Sequence, residues 1–322
     1  SASKLTFSVS GSDLLVGVLG SSQTVRLSSL SYASLKTANF IFADNSLFMP
    51  ATSGNDSIIG SNSSDFIDLS LGGIDSATGG AGADVFVLGN TLQTTDRING
   101  GSGLATEVDE LRLSGNYVST IVLDANTVTS VEKFVFDSGV IKLQLNNAVF
   151  DTANSGVIFD GTKQAQSDSL YLDGSSVTSS AGQIKVTAGS GNDTIIGGAV
   201  NDSLVGGAGS DSLIGGAGDD SLNGGLDADT LTGGLGSDVF EFTFGTALRT
   251  DSSPTTIDTI TDFSQGDKIN LPGVNIYNAN KPLVFNINAV NFNYTGSNSG
   301  LQNGSNPNDG LADVLWRYNS AN

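Results

Sequence analysis

Single apolar residues recur every nine positions within 188–241: Ile195, Leu204, Leu213, Leu222, Leu231 and Phe240. Each sits in a three-residue segment bounded by polar or glycine-rich runs, too short for a helix. Such an x-apolar-x segment fits a brief strand that turns its central side chain to one face. An aspartate stands two residues before each apolar position: Asp193, Asp202, Asp211, Asp220, Asp229 and Asp238. The run divides without insertion into six nine-residue units, AGSGNDTII, GGAVNDSLV, GGAGSDSLI, GGAGDDSLN, GGLDADTLT and GGLGSDVFE. A flexible acidic linker has no need of an apolar residue in fixed phase with its aspartates. The pattern therefore predicts stacked strands and turns that bury a core none could bury alone.

Glycine admits positive φ and lets neighbouring backbones approach without a Cβ clash, so the glycine runs read as turns. A turn and a strand make half a coil; two units, eighteen residues, then close one coil, and same-edge turns lie two units apart. This stacks Asp193, Asp211 and Asp229 on one edge and Asp202, Asp220 and Asp238 on the other. Stacked carboxylates repel unless a cation lies between them. Ca²⁺ takes about six to eight hard oxygens, which carboxylates and turn carbonyls can supply. Three turns per edge leave two gaps per edge, four gaps in 188–241.

The units match the Gly-Gly-x-Gly-x-Asp-x-apolar-x nonapeptide of calcium-binding parallel β-helices. On these residues the chain resembles the RTX family of proteins exported by type I secretion. The resemblance implies an all-β, right-handed parallel β-helix or β-roll solenoid with one Ca²⁺ clamped between successive same-edge turns, hence at least four calcium sites in 188–241. It marks as metal-site residues the six aspartates together with Gly189, Gly191, Gly198, Gly207, Gly209, Gly216, Gly218, Gly225, Gly234 and Gly236. Val200 and Asp227 replace the third glycine of their units, so those turns are expected to be strained or differently liganded.

A shorter array occupies 51–89, with Asp56, Asp65, Asp75 and Asp84 as metal candidates. The spacing between Asp65 and Asp75 is ten, which implies a one-residue bulge. Pairing Asp56 with Asp75 and Asp65 with Asp84 gives about two more calcium sites, and Ile58, Ile67, Ala77 and Phe86 should point inward. Residues 1–50 read as irregular β-coils, with Gly11-Ser12-Asp13-Leu14-Leu15 as a degenerate repeat. Residues 90–187 read as a calcium-poor β-solenoid ladder of alternating strands, in which Asp109 follows the turn-like Gly100-Gly101-Ser102-Gly103 only after an insertion. Residues 242–322 read as a capping region. In it, 258–271 resembles the closing segment of many RTX proteins; Ile260, Phe263, Ile269 and Leu271 would cover the last coil, with Asp262 and Asp267 able to bind a further ion. A partial linear calcium loop, Asn306-Pro307-Asn308-Asp309-Gly310, lies in the tail.

Composition sharpens this picture. The chain has 33 Asp plus Glu against 13 Lys plus Arg, a formal charge of −20, which argues against nucleic acid as a partner. Only Glu107, Glu110, Glu132 and Glu241 are glutamates, and a bias to the shorter acid suits turns and metal loops. Cysteine and histidine are absent, which removes disulfides, thiol chemistry, histidine-dependent zinc sites and Ser-His-Asp catalysis. No intrinsic enzyme activity is expected. No run of eighteen apolar residues offers a membrane span, and the start at Ser1 reads as a piece of a longer chain.

The resemblance further implies a secreted or cell-surface protein that stays unfolded in calcium-poor cytosol, engages the type I secretion machinery and folds outside. The expected role is a structural module of a surface-layer type, associating with itself or with other surface components. Its alternatives are the non-catalytic C-terminal portion of a secreted hydrolase, or a glycan-binding adhesin module that uses tail aromatics such as Trp316.

Overall fold

The computed structural model describes residues 2–29, 31, 34–36, 40–102, 107–150, 156–178, 180, 182–242 and 258–270, and the backbone of Leu283–Ile287 and Val314–Tyr318. The tail loop at 306–310, Leu271 and the Trp316 side chain lie outside the described residues. The chain forms two compact units, 1–160 and 161–322.

In the first unit, coil strands of one wall run Phe48–Pro50, Phe66–Asp68, Val85–Gly89, Glu110–Ser114, Lys133–Ser138 and Val157–Asp160, each parallel to the next. The facing strands are Ser57–Ile59, Ser76–Gly80, Arg97–Gly101 and Val128–Thr129. Parallel neighbours cannot be joined by hairpins, so the chain must travel around the coil between them. The register aligns Met49, Ile67, Phe86, Leu111, Phe134 and Phe159 as one inward column, buried throughout. Phe134 and Phe159 stack with ring centroids 5.0 Å apart. Ala77 is also buried, whereas Ile58, in the first strand of its wall, is only half-buried.

Residues 5–27 are not coils. Leu5–Ser10, Asp13–Val18 and Thr24–Leu27 form an antiparallel meander. The physical reason is local: Ser10 pairs directly with Asp13, so Gly11-Ser12 is a two-residue hairpin turn, with Gly11 at φ +65°. The apparent degenerate repeat is that hairpin. The meander lays Leu5, Phe7 and Leu14 against Phe48 and Phe66, which covers the apolar end of the first coil.

The second unit shows the eighteen-residue coil in its most regular form. Ile184–Thr187, Ser203–Ala208, Ser221–Leu226, Val239–Glu241 and Lys268–Asn270 make one parallel wall. Ser169–Asp173, Thr194–Ile196, Ser212–Ala217, Thr230–Leu235 and Thr259–Ile260 make the other, followed by Leu283–Ile287 and Val314–Tyr318. Ile195, Leu204, Leu213, Leu222, Leu231 and Phe240 are all fully buried. Burying each such side chain contributes about 1.5–3 kcal/mol relative to exposure, but the core is only one apolar residue thick on each wall. Residues 258–270 lie over the last repeat coil as a further coil: Leu231 pairs with Ile260 and Phe240 with Ile269, and the Phe263 and Phe240 ring centroids are 6.0 Å apart.

Candidate metal centres

The coil register places the repeat aspartates in four vertical rows, and one hydrogen bond is repeated along each. On one edge of the second unit, the Asp193 N–H donates to Asp211 Oδ1 at 2.8 Å and the Asp211 N–H to Asp229 Oδ1 at 2.9 Å. On the other edge, the Asp202 N–H donates to Asp220 Oδ1 at 2.7 Å and the Asp220 N–H to Asp238 Oδ1 at 2.9 Å. In the first unit the Asp56 N–H donates to Asp75 Oδ1 at 3.0 Å and the Asp65 N–H to Asp84 Oδ1 at 2.7 Å. The nineteen-residue offset of that unit reflects the one-residue bulge. All the same-edge pairs expected from spacing are thus brought together.

Each carboxylate uses only one oxygen in this way. The Oδ2 atoms of Asp84, Asp211, Asp220, Asp229 and Asp238 are buried and have no hydrogen-bond partner. Asp65 and Asp202 differ, because their Oδ2 atoms accept from the N–H groups of Ser61 and Gly198, both at 2.6 Å. A buried carboxylate oxygen without a partner is costly, and a cation is the usual compensation.

The glycines shape the space around that oxygen. A Cβ on Gly206 would lie 2.3 Å from Asp211 Oδ2 and 2.6 Å from the Gly224 carbonyl oxygen of the next same-edge turn. Gly215 stands in the same relation to Asp220 Oδ2 (2.3 Å) and the Gly233 carbonyl oxygen (2.6 Å). The second glycine of each pair is equally constrained: Gly216 has φ +112°, and its Cβ would meet the Gly198 carbonyl oxygen at 2.3 Å. Carbonyl and carboxylate oxygens therefore converge where any other residue would put a methyl group. Of the two units with a replaced third glycine, Asp227 takes up the left-handed conformation at φ +76°, which Asp tolerates better than most residues, whereas Val200 does not.

Burial raises the affinity of these carboxylates for protons. It pushes Asp193 and Asp202 up to about 6, Asp84, Asp211 and Asp220 up to about 7, and Asp229 up to about 8, with neighbouring carboxylates adding to the last four. Asp65, Asp75 and Asp238 are raised for the same first reason. The rows are stacks of half-satisfied anions that favour a positive charge, whether proton or metal.

The rows run past the repeats. Asp75 N–H donates to Asp96 Oδ1 at 3.1 Å, Asp84 N–H to Asp109 Oδ1 at 2.8 Å, and Asp109 N–H to Glu132 Oε2 at 2.7 Å. In the second unit Asp229 N–H donates to Asp258 Oδ1 at 3.1 Å and Asp238 N–H to Asp267 Oδ1 at 3.0 Å. Asp262 instead accepts from the N–H groups of Gly233 and Gly234, at 2.9 and 2.8 Å. Nine-residue spacing misses Asp96, Asp109, Glu132 and Asp258 because insertions precede them. A different signal survives: an acid two residues before an apolar residue, as in Asp96-Arg97-Ile98, Asp109-Glu110-Leu111, Glu132-Lys133-Phe134 and Asp258-Thr259-Ile260.

Among the described residues no group of three or more His, Cys, Asp or Glu side chains converges on one point. Each gap offers at most two carboxylates, so backbone carbonyls must complete any coordination shell. Oxygen-only donors with this carbonyl share suit a hard cation of the calcium type rather than zinc or copper. The residues present thus fit calcium. Four segments, 51–73, 71–90, 185–204 and 205–240, match the family model of the RTX calcium-binding nonapeptide repeat. Comparison with curated proteins and with solved structures returned no match.

Proposed function

We propose that this chain, which carries RTX calcium-binding nonapeptide repeats in a parallel β-roll, is a calcium-assembled structural module of a secreted cell-surface protein. RTX repeats are structural, non-catalytic elements, and no helix among the described residues is long and apolar enough to cross a membrane. The observation that carries the reading is the row of buried, unpartnered Oδ2 atoms facing turn carbonyls. Bound calcium would supply the positive charge that those oxygens lack. Asp193, Asp211 and Asp229 would hold it on one edge and Asp202, Asp220 and Asp238 on the other, at four gaps; Asp56, Asp75, Asp65 and Asp84 would hold about two more.

The chain's own residues do the rest. The aspartates hold the turns apart at fixed register through their Oδ1 bonds, and the glycines keep the oxygens accessible. The thin apolar core cannot by itself offset such a stack of buried charge. Without a cation the acidic chain is therefore extended, a form suited to passage through a type I secretion channel, and millimolar calcium outside the cell folds it. Two compact units, each with its own carboxylate rows, favour a scaffold role of the surface-layer kind, with self-association or contact to other surface components.

Far-UV circular dichroism during calcium titration of chelated protein tests the folding step; a β signal unchanged in excess chelator contradicts it. Electron microscopy tests the scaffold role: calcium-dependent two-dimensional lattices support it, and dispersed particles at every calcium concentration refute it.

A further inference from the structure

The geometry points to a calcium site beyond the matched repeats of the first unit, between Asp84 and Asp109. It rests on the reading that the repeats bind calcium, and it extends that reading to a residue outside any nonapeptide, since the repeat match ends at residue 90.

Asp84 is the last aspartate of its array, and its residue is completely buried. Its Oδ1 faces back along the row and accepts from the Asp65 N–H at 2.7 Å. Its Oδ2 is buried and without a partner. If calcium binding stopped with the repeat, this oxygen would be an uncompensated buried anion at the array's end, a costly arrangement. A Cβ on Gly79 would lie 2.1 Å from Asp84 Oδ2 and 2.5 Å from the Gly100 carbonyl oxygen, so these two oxygens converge on one point. That is the relation of Gly206 to Asp211 Oδ2 and the Gly224 carbonyl oxygen in the most regular part of the second unit.

The third component matches as well. Asp109 Oδ1 accepts from the Asp84 N–H at 2.8 Å, as Asp229 Oδ1 accepts from the Asp211 N–H at 2.9 Å. Asp109 is 94% buried, so its carboxylate is held in the row rather than solvated. A repeat carboxylate with a spare oxygen, a facing glycine carbonyl and a second carboxylate thus recur, although the chain takes 25 residues from Asp84 to Asp109 instead of eighteen or nineteen. The site would fasten the first coil of the following ladder to the end of the array.

The test counts calcium bound per full-length chain by equilibrium dialysis. Asp109→Asn keeps an amide oxygen to accept from the Asp84 N–H, so the coil is preserved, but it removes a charge from the gap. Asp84→Asn keeps the oxygen bonded to Asp65 and replaces the spare oxygen with an amino group. Wild-type protein is expected to bind one ion more than D109N, with matching far-UV spectra at saturating calcium. The double variant is expected to bind no fewer ions than D84N, because both changes empty the same gap. A D109N count equal to wild type, or losses that add in the double variant, would overturn the site while leaving the repeats intact. Failure of the underlying reading looks different: wild-type protein binding no calcium at all. Should D109N not fold, D84N still decides, because Asp84 lines the gap to Asp65 as well as the gap to Asp109: a loss of two ions against wild type supports the site, and a loss of one or none overturns it.

Discussion

Replacing Asp211 by asparagine separates a metal role from a packing role, because the two predict opposite signs in calcium and in chelator. Asn keeps Oδ1 for the Asp193 N–H, now 2.8 Å away, and replaces the unpartnered Oδ2 with an amino group. The gap towards Asp229 loses its spare oxygen, and the gap towards Asp193 loses a charge. With site Kd about 0.1 mM and free calcium about 1 mM, each filled site contributes about 1.4 kcal/mol. D211N should therefore lose about 1.4 to 3 kcal/mol, a tenfold to hundredfold fall in the folded-to-unfolded ratio. In chelator at pH 8 the same change should favour the coil, because it removes a carboxylate that burial and neighbouring acids push up to about 7. Circular dichroism along a calcium titration reads both signs. Asp219→Asn is the control: Asp219 accepts from the Ser237 N–H at 2.8 Å through Oδ1 and is not among the buried row, so its midpoint should stay near wild type. An unmoved D211N midpoint, or equal shifts in both variants, would refute the reasoning.

Three further outcomes follow from the same geometry. In the second unit Asp193 and Asp202 have folded-state pKa values raised from the ordinary 3.8 to about 6, Asp211 and Asp220 to about 7 and Asp229 to about 8, so the folded chain holds more protons between those limits. Calcium-free stability is then highest below about pH 4 and lost as pH rises through about 6 to 8, so acidifying chelated protein should increase β signal, while in calcium the same protons compete and raise the calcium midpoint. Gly215→Ala would put a methyl group 2.3 Å from Asp220 Oδ2 and 2.6 Å from the Gly233 carbonyl oxygen; dialysis should show that ion lost, and denaturant titration a cost of about 1–3 kcal/mol or more. Leu213→Ala empties a fully buried position and should cost about 2–5 kcal/mol by denaturant titration even in saturating calcium, since its role is independent of metal.

The second unit was legible in sequence because its period is undisturbed: once turn and strand make half a coil, register, edge and inward residue all follow from counting, and Leu204 stacks on Leu222 as counting requires. The first array was legible through its bulge, since one extra residue shifts every later pairing by one and leaves the rows intact. Two features were hidden for different reasons. The meander at 5–27 shares the Gly-x-Asp-apolar letters of a repeat, and only the pairing of Ser10 with Asp13 shows that Gly11 reverses the chain rather than turning a coil corner. Asp96, Glu132 and Asp258 were hidden, and Asp109 was visible but not assigned to a row, because insertions destroy the period while the fold preserves the row; the next strand returns to register because its apolar residue must still point inward. The acid two residues before an apolar strand centre is thus the more durable mark of the row than the nonapeptide itself.

Anomalous diffraction from a crystal grown in calcium tests the central claim most directly, because it locates the ions without reference to stability. The account predicts peaks between Asp193 and Asp211, Asp211 and Asp229, Asp202 and Asp220, and Asp220 and Asp238, each within bonding distance of carboxylate and turn carbonyl oxygens. An intact coil with those gaps free of anomalous signal at saturating calcium would contradict it.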